Sequence, residues 1–140
     1  MRVMVLIKGT PRWEAGEVPD ERLLTAMAAF DEELMRAGIL LDSESLHPSS
    51  DGVLVRSSGT DRTVTDGPYL QATDLVAGYW LWQVRSMDEA VEWLKRSPFD
   101  GGTEIEIRQV FEADDFGPEM TPELKEQEER LRAQVSKKKK

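Results

Sequence analysis

The hydrophobic and polar positions of the first 110 or so residues predict strands and helices in alternation. Residues 3–7 are apolar at every position, as in a central strand with both faces covered. From residue 20 to 37, apolar side chains recur at steps of three and four, which predicts one amphipathic helix. Asp20 is suited to cap its first turn, and Gly38 is suited to end it.

Two features of this region have alternative interpretations. Trp13 lies in the predicted loop 10–19, where it would be either a lid over a cavity or an aromatic plug on the domain's own core, and the plug is favoured. The carboxylates of residues 31–33 could do acid–base work together. A solvated helix face is the favoured interpretation of those residues.

The middle of the chain predicts a β-hairpin and then an aromatic strand. Residues 53–56 and 62–65 are the two arms of the hairpin. Residues 42–50 are interpreted as a long polar segment and residues 70–77 as a connector. The strand over residues 78–84 alternates two sets of side chains, so both of its faces must be largely covered. These sets are Tyr79, Leu81 and Gln83 on one face, and Trp80, Trp82 and Val84 on the other.

A capping box and an alternating strand follow. The Ser86 hydroxyl can accept from the Glu89 amide while the Glu89 carboxylate accepts from the Ser86 amide, which starts a helix that ends before Pro98. Residues 103–110 alternate strictly, so Glu106 and Arg108 share a strand face.

The last part of the chain predicts a charged helical extension. Thr121-Pro122-Glu123 is a favourable helix start, and few apolar residues follow it. Such a helix would lie on a partner or on the far side of its own subunit. Residues 137–140 are four lysines that we expect to be disordered. We therefore divide the chain into an α+β domain over residues 1–118 and an extension over residues 119–140.

The order of these elements predicts an α+β fold of the ferredoxin-like, split βαβ type, with an antiparallel sheet and two helices on one face. Two helices cover only one face, yet the first and the aromatic strands are apolar on both. A second copy of the same sheet would cover the other face. The sequence thus predicts a homodimer with a barrel-like core, a dimeric α+β barrel.

Composition restricts the possible partners and chemistry. The formal net charge is −9 at pH 7, and it would be −13 without the four terminal lysines, so nucleic acid and anionic membranes would be repelled. No cysteine is present, which excludes disulfides and thiolate zinc sites, and we expect neither a metal nor another cofactor. The apolar runs are too short to span a membrane. Residues 1–9 indicate a strand and not a signal peptide, so the expected location is cytoplasmic.

The most constrained stretch of the chain is Thr65-Asp66-Gly67-Pro68-Tyr69. Gly67 can adopt positive φ, Pro68 fixes its own φ, and Asp66 can bond to nearby amides. Such a loop is stiff and presents one carboxylate in a defined place.

Five stretches together resemble the YCII-related, DGPF-domain family. They are Leu46-His47-Pro48-Ser49, Thr65-Asp66-Gly67-Pro68-Tyr69, Gly78-Tyr79-Trp80, Ser86-Met87-Asp88-Glu89-Ala90 with Trp93, and Glu104-Ile105-Glu106-Ile107-Arg108. The resemblance runs from residue 1 to about residue 110, and the charged extension resembles longer members. It implies a ferredoxin-like dimeric α+β barrel, and it implies no established activity for this branch.

The chain departs from the family pattern in two places. The family usually follows its loop with Glu-Thr-Lys-Glu, whereas this chain has Gln71-Ala72-Thr73-Asp74 and keeps only the charge of Asp74. The wider superfamily is associated with a catalytic pair, a histidine on the first helix and an aspartate in a later loop. The first helix here has no histidine, so at most Asp66 carries over.

The candidate catalytic residues are Asp66 and His47, which could form a base with an orienting acid. Loop roles are favoured for both, an Asx-type brace for Asp66 and a hydrogen-bond partner for His47. Tyr69 and Asp74 are candidate ligand contacts beside this loop. On the last strand, Arg108 beside Glu106 is a candidate clamp for a small carboxylated molecule.

Two functions are consistent with these residues. In one, the dimer binds a small polar or anionic molecule between the sheet and the 42–50 and 65–75 loops, with acid–base chemistry such as elimination or isomerisation. In the other, it is a non-catalytic interaction or regulatory module that docks through its last helix. The resemblance implies a link to sigma-factor signalling for the second, because such genes often lie near those of alternative sigma factors.

Overall fold

The computed structural model describes residues 1–69 and 74–138. The chain forms two compact units, Met1–Gln109 and Val110–Lys140. The elements of the first unit are β1 (Arg2–Lys8), α1 (Pro11–Glu14), α2 (Glu21–Arg36), β2 (Leu40–Ser45), β3 (Val53–Ser58), β4 (Asp61–Asp66), β5 (Val76–Gln83), α3 (Met87–Leu94) and β6 (Ile105–Gln109). A 3-10 turn over Ser49–Asp51 follows β2. The second unit holds a 3-10 segment, Ala113–Glu119, and α4 (Pro122–Lys138).

Four strands form one antiparallel sheet in the order β2-β5-β1-β6. The central strand β1 pairs with β5 on one side and with β6 on the other. This order, with α2 and α3 in the two connections, is the ferredoxin-like split βαβ arrangement. The predicted fold class is confirmed: α+β, with an antiparallel sheet that carries α2 and α3 on one face.

The core lies between that face of the sheet and the two helices. Val3 pairs with Trp82 and Val5 with Trp80, and all four side chains are buried. Phe30 of α2 meets both indoles edge-on, with ring centroids 5.7 and 6.4 Å apart. Cross-strand pairs of β-branched and aromatic side chains, capped by an aromatic ring from a helix, explain why β1 and β5 are so apolar.

The two buried indole N–H groups have different surroundings. Trp80 Nε1 donates to Asp31 Oδ1 at 2.8 Å, so this carboxylate binds a side chain of the core. The expectation that residues 31–33 form a wholly solvated face is therefore corrected for Asp31. Trp82 Nε1 is buried with no hydrogen-bond partner among residues 1–69 and 74–138. An unpaired buried donor of this kind costs about 1–3 kcal/mol.

Part of the polar segment predicted over residues 42–50 is a strand. Leu40–Ser45 pairs with β5 as the edge strand β2, with a register shift between Leu40 and Asp42. An edge strand can carry polar side chains, because one of its edges faces solvent, and this one therefore lacks the hydrophobic alternation of an inner strand. The predicted hairpin exists as β3 and β4, but it forms a two-stranded sheet of its own.

The helix ends follow the predictions closely. The Asp20 carboxylate caps α2, and Gly38 follows it with φ of +75°. The Ser86 hydroxyl accepts from the Glu89 amide at 3.1 Å, as predicted. The Glu89 carboxylate instead accepts from the amide of Arg85 at 3.0 Å, one residue before the expected donor.

In the second unit, α4 begins at the predicted proline and continues to Lys138. Of the lysines predicted to be disordered, Lys137 and Lys138 therefore lie in the helix, and residues 139–140 are outside the described residues. The predicted domain boundary after residue 118 stays a prediction.

Candidate functional site

The sheet face opposite α2 and α3 carries a mixed set of side chains. Strand pairing arranges them in two rows that cross the sheet from β2 to β6. The first row is Glu44, Tyr79, Leu6 and Glu106, and the second row is Asp42, Leu81, Met4 and Arg108. The four inner side chains are half-buried. We call these eight residues the open face: it is apolar with one tyrosine at its centre and charged along both edges.

Three charged side chains meet at the β6 edge of the open face. Glu106 lies between two cations, with Oε1 3.2 Å from Lys8 Nζ and Oε2 3.7 Å from Arg108 Nε. The structure thus places the two predicted residues Glu106 and Arg108 side by side. The Arg108 side chain is 71% exposed, and its guanidinium keeps hydrogen-bond donors that can bind a carboxylate or phosphate.

Tyr79 lies at the centre of the open face, half-buried. Its hydroxyl donates to Asp42 Oδ2 at 3.3 Å. Burial raises the pKa of Tyr79, and the negative charge of Asp42, its hydrogen bond and the charge of Glu44 raise it further. The phenol therefore stays protonated at neutral pH and can act as a hydrogen-bond donor.

The loop after β2 is held by α1. Thr10 caps this short helix, Trp13 Nε1 donates to the Leu46 carbonyl at 3.1 Å, and the Glu14 carboxylate accepts from both the amide and the hydroxyl of Ser49. Ser49 is only 8% exposed. The Trp13 indole thus holds this loop through a hydrogen bond, which corrects the expectation that its ring packs into the core.

The Asp-Gly-Pro turn lies against the same loop. Gly67 N donates to the Gly52 carbonyl at 2.9 Å, and a Cβ on Gly67 would lie 1.7 Å from the Ser49 carbonyl oxygen. The ring of Tyr69 lies beside both glycines. Gly67 has no positive φ, so the close backbone contact is what requires glycine here. The Gly67–Pro68 peptide is cis. Residues 46–52 and 66–69 are called the loop cluster below.

The two predicted proton carriers lie in the loop cluster without meeting. His47 Nδ1 is 2.9 Å from Asp51 Oδ2, and both side chains are exposed. Asp66 ends β4 opposite Val53, and its carboxylate makes no hydrogen bond to the described residues. The expected Asx-type brace is therefore not observed, and Pro68 has no amide hydrogen to offer it. The acid next to the His47 imidazole is Asp51 and not Asp66.

The remaining candidates flank the segment that the structure leaves undescribed. Tyr69 is half-buried in the loop cluster, and Asp74 is exposed next to Leu75, whose carbonyl accepts from Gly9 N at 2.8 Å. The departure from the family pattern at Gln71-Ala72-Thr73 falls on residues outside the described ranges. These contacts place the loop cluster at the end of the sheet where β1 and β2 end and β5 begins.

Three side chains that make the contacts described above were not identified from the sequence: Asp51, Glu14 and Asp42. Asp51 follows His47 by four residues, and that spacing was the one available signal. Glu14 and Ser49 are 35 residues apart, and only the fold brings them together. Asp42 as a partner of Tyr79 becomes visible only once residues 40–45 are assigned to a strand and its register is known.

The two clearest surface depressions among the described residues are each formed within a single unit. One is beside Asp114 and Lys125 in the second unit, and the other is on α3 beside Trp93 and Arg96. Within residues 1–69 and 74–138, no group of three or more acidic or histidine side chains is arranged to hold a metal ion. None of the helices described is both long and apolar enough to cross a bilayer.

The chain is similar to a known family, to a relative and to a solved structure. A family model described as YCII-related domain matches residues 1–114. An uncharacterised protein of Rhizobium meliloti (strain 1021) is 27% identical over 100 residues, which cover 69% of this chain and 79% of that protein. Among solved structures, the 5-chloro-2-hydroxyhydroquinone dehydrochlorinase of Burkholderia phenoliruptrix AC1100, in complex with 2,5-dihydroxybenzoquinone, matches with 17% identity and a TM-score of 0.43. That match covers 82% of this chain and 99% of the other.

Proposed function

Since the chain belongs to the YCII-related family, we propose that two copies pack their open faces together and bind a small polar or anionic molecule at that junction, beside the loop cluster. The chemistry proposed there is acid–base chemistry of the elimination or isomerisation type. The observation that carries this proposal is the composition of the open face, apolar at its centre and charged at both edges.

Covering the centre of the open face is energetically favourable. Met4, Leu6 and Leu81 are only half-buried, and each square ångström of apolar surface removed from water contributes about 25 cal/mol. The face also carries a tyrosine and ion-pairing groups, which an enclosed site can use for recognition. A second sheet packed on the open face would bury its apolar centre and enclose its polar groups as a binding site.

The charges at the two edges support the same arrangement. The β2 edge carries Asp42 and Glu44, and the β6 edge carries Arg108 and Lys8 on either side of Glu106. A twofold axis parallel to the strands would place β2 of one copy over β6 of the other. The two acids of the β2 edge would then face the two cations and one acid of the β6 edge, which is more favourable than stacking the two acidic β2 edges on each other.

The proposed roles follow from the contacts within one chain. Arg108 anchors the anionic group of the ligand, and the Tyr79 hydroxyl, which has one hydrogen to donate, turns from Asp42 to donate to the ligand instead. His47 and Asp66 carry protons, and Asp51 orients the imidazole of His47. Further ligand contacts are proposed for Glu106, Tyr69 and Asp74.

Calorimetric titration of the full chain with maleate, 2-oxoglutarate and inorganic phosphate tests anion binding. Arg108→Gln should weaken the binding of a responding anion by about 10-fold or more, because a hydrogen bond to a charged group contributes about 1.5–3 kcal/mol. Arg22→Gln, at an exposed arginine of α2, is the matched control and should bind as the unmodified chain does. Equal affinity in the two variants would remove Arg108 from the site, and no heat with any anion would count against anion binding.

Proton transfer is tested separately by following hydrogen–deuterium exchange of 2-oxoglutarate in D₂O by NMR. We expect the protein to accelerate exchange next to the keto group, and His47→Gln and Asp66→Asn each to reduce that acceleration at least about 10-fold. Exchange unchanged in both variants would exclude these residues as proton carriers and leave the binding proposal standing.

A second candidate function is the non-catalytic interaction module. The observation that favours it is the surface of α4, on which Leu124, Leu131 and Val135 are each about half exposed. Removal of residues 119–140 separates the two functions: a truncated chain that still binds the anion supports the site on the sheet. Absence of anion binding in the full chain favours the module.

A further inference from the structure

Helix α4 carries an apolar stripe that nothing in its own unit buries. Leu124, Leu131 and Val135 are spaced by seven and four residues, which places them on one side of the helix. Their exposed fractions are 49, 53 and 55%, and no residue of α4 is buried. A stripe of this spacing on an otherwise charged helix is the pattern of a helix that packs against another helix.

The charges of α4 are separated along its length. Residues 122–129 carry four glutamates and one lysine, and residues 130–138 carry two arginines and two lysines with no acid. The helix macrodipole favours acids in the first turn and bases in the last, but its effect does not extend to the middle turns. One pair, Glu128 with Arg132, is satisfied within the helix at 2.9 Å. The remaining charges are acidic in residues 122–129 and basic in residues 130–138. They fit a partner helix whose basic half lies along the acidic half of α4 and whose acidic half lies along the basic half.

We propose that this partner is α4 of a second copy, paired in antiparallel orientation about a point between residues 129 and 130. The acidic half of each helix then lies along the basic half of the other, and Leu124 of one copy lies opposite Val135 of the second. A parallel pair would place acid beside acid and base beside base, which is repulsive.

The inference rests on the proposed homodimer. Three apolar side chains per helix make an interface well below the ~1,000 Å² of a stable complex. The contact between open faces holds two α4 helices at high effective concentration, and their pairing then strengthens a dimer that already exists.

The absence of cysteine from the chain allows a direct test with single cysteines. Differently tagged Leu124→Cys and Val135→Cys chains are co-expressed as full-length protein and oxidised. The mixed pair should form a disulfide in high yield. Leu124→Cys alone should form little, because in the antiparallel pair its two copies are about 16 Å apart along the helix axis. A dominant Leu124→Cys self-pair would show a parallel arrangement and overturn the inference.

Charge reversal provides the matched control. Arg130→Glu with Arg132→Glu in the Leu124→Cys chain alone should reduce the mixed cross-link at least about 5-fold, and adding Glu126→Lys with Glu129→Lys to the Val135→Cys chain should restore it. Light scattering on the same full-length protein separates the two proposals. A dimer with no mixed cross-link overturns the α4 pairing alone, whereas a monomer overturns both the pairing and the proposed homodimer.

Discussion

Gly67 is the residue on which the geometry of the loop cluster depends most directly. Gly67→Ala would place a Cβ 1.7 Å from the Ser49 carbonyl oxygen, a backbone atom of a residue that Glu14 holds on two sides. We expect a loss of about 1–3 kcal/mol in the free energy of unfolding, as for other overpacked sites, measured by urea titration. Gly52→Ala is the control, because its Cβ would meet the Tyr69 hydroxyl at 3.1 Å, the far end of a movable side chain. Equal losses in the two variants would contradict this account.

Tyr79 gives a pH-dependent prediction. Its pKa is raised by burial and by the neighbouring acids, so the folded chain holds this proton more tightly than the unfolded chain does. The resulting stabilisation is fully present below the ordinary tyrosine pKa and is lost as the pH rises through the folded value. Spectrophotometric titration isolates this group in a Tyr69→Phe background, since the chain has only two tyrosines. Asp42→Asn should lower the pKa of Tyr79, whereas Asp88→Asn, at an exposed acid of α3, should leave it in place.

An unshifted titration of Tyr79 in the Tyr69→Phe protein would show that the open face is fully hydrated at this position. A pKa of Tyr79 that Asp42→Asn leaves unchanged would remove Asp42 as its partner. Either outcome would weaken the assignment of Tyr79 as a neutral donor in the proposed site, because that role depends on the phenol keeping its proton.

At the scale of elements, the sequence predicted the helices and strands whose hydrophobic pattern and end residues lie within the element itself. α2 has an apolar stripe of helical period together with a capping aspartate and a terminating glycine, and its bounds agree with the prediction within one residue. β1 and β5 were recognisable because both are buried on the helix-covered face and half-buried on the other.

The elements that the sequence did not reveal depend on their neighbours. β2 is polar because it is an edge strand, and its pairing with β5 is a property of the sheet and not of residues 40–45 themselves. The hairpin was predicted from its arms, but whether β3 or β4 joins the main sheet depends on which edges are free.

The candidate site was likewise predictable only where its signal is local. The sequence indicated His47 and Asp66 as chemically capable residues, and both lie in the loop cluster. Which acid pairs with His47 is decided by the local turn over Ser49–Asp51, which brings Asp51 to the imidazole. Glu14, which holds that turn, comes from a helix far earlier in the chain and carries no local signal.

At the scale of the whole molecule, the proposed function depends on the open face. In one chain, Arg108 is largely exposed and can bind an anion only in competition with water. Packed against a second copy, the same guanidinium would lie in a less polar environment, where charge-assisted hydrogen bonds are stronger. The proposed ligand site and the proposed dimer are therefore coupled, and a change that separates the copies should also reduce anion affinity.

Leu81→Glu tests this coupling, because it places a carboxylate in the centre of the open face next to Asp42 and Met4. In the dimer the new charge would be buried without a partner, at a cost of several kcal/mol, so the dissociation constant should rise at least about 100-fold. Light scattering at about 10 µM protein should then show a dimer for the unmodified chain and a monomer for the variant. Leu24→Glu, at a leucine of α2 that is 52% exposed, introduces the same charge and should stay dimeric. Unfolding midpoints establish that both variants fold, and a folded Leu81→Glu dimer would show that the copies associate through another surface.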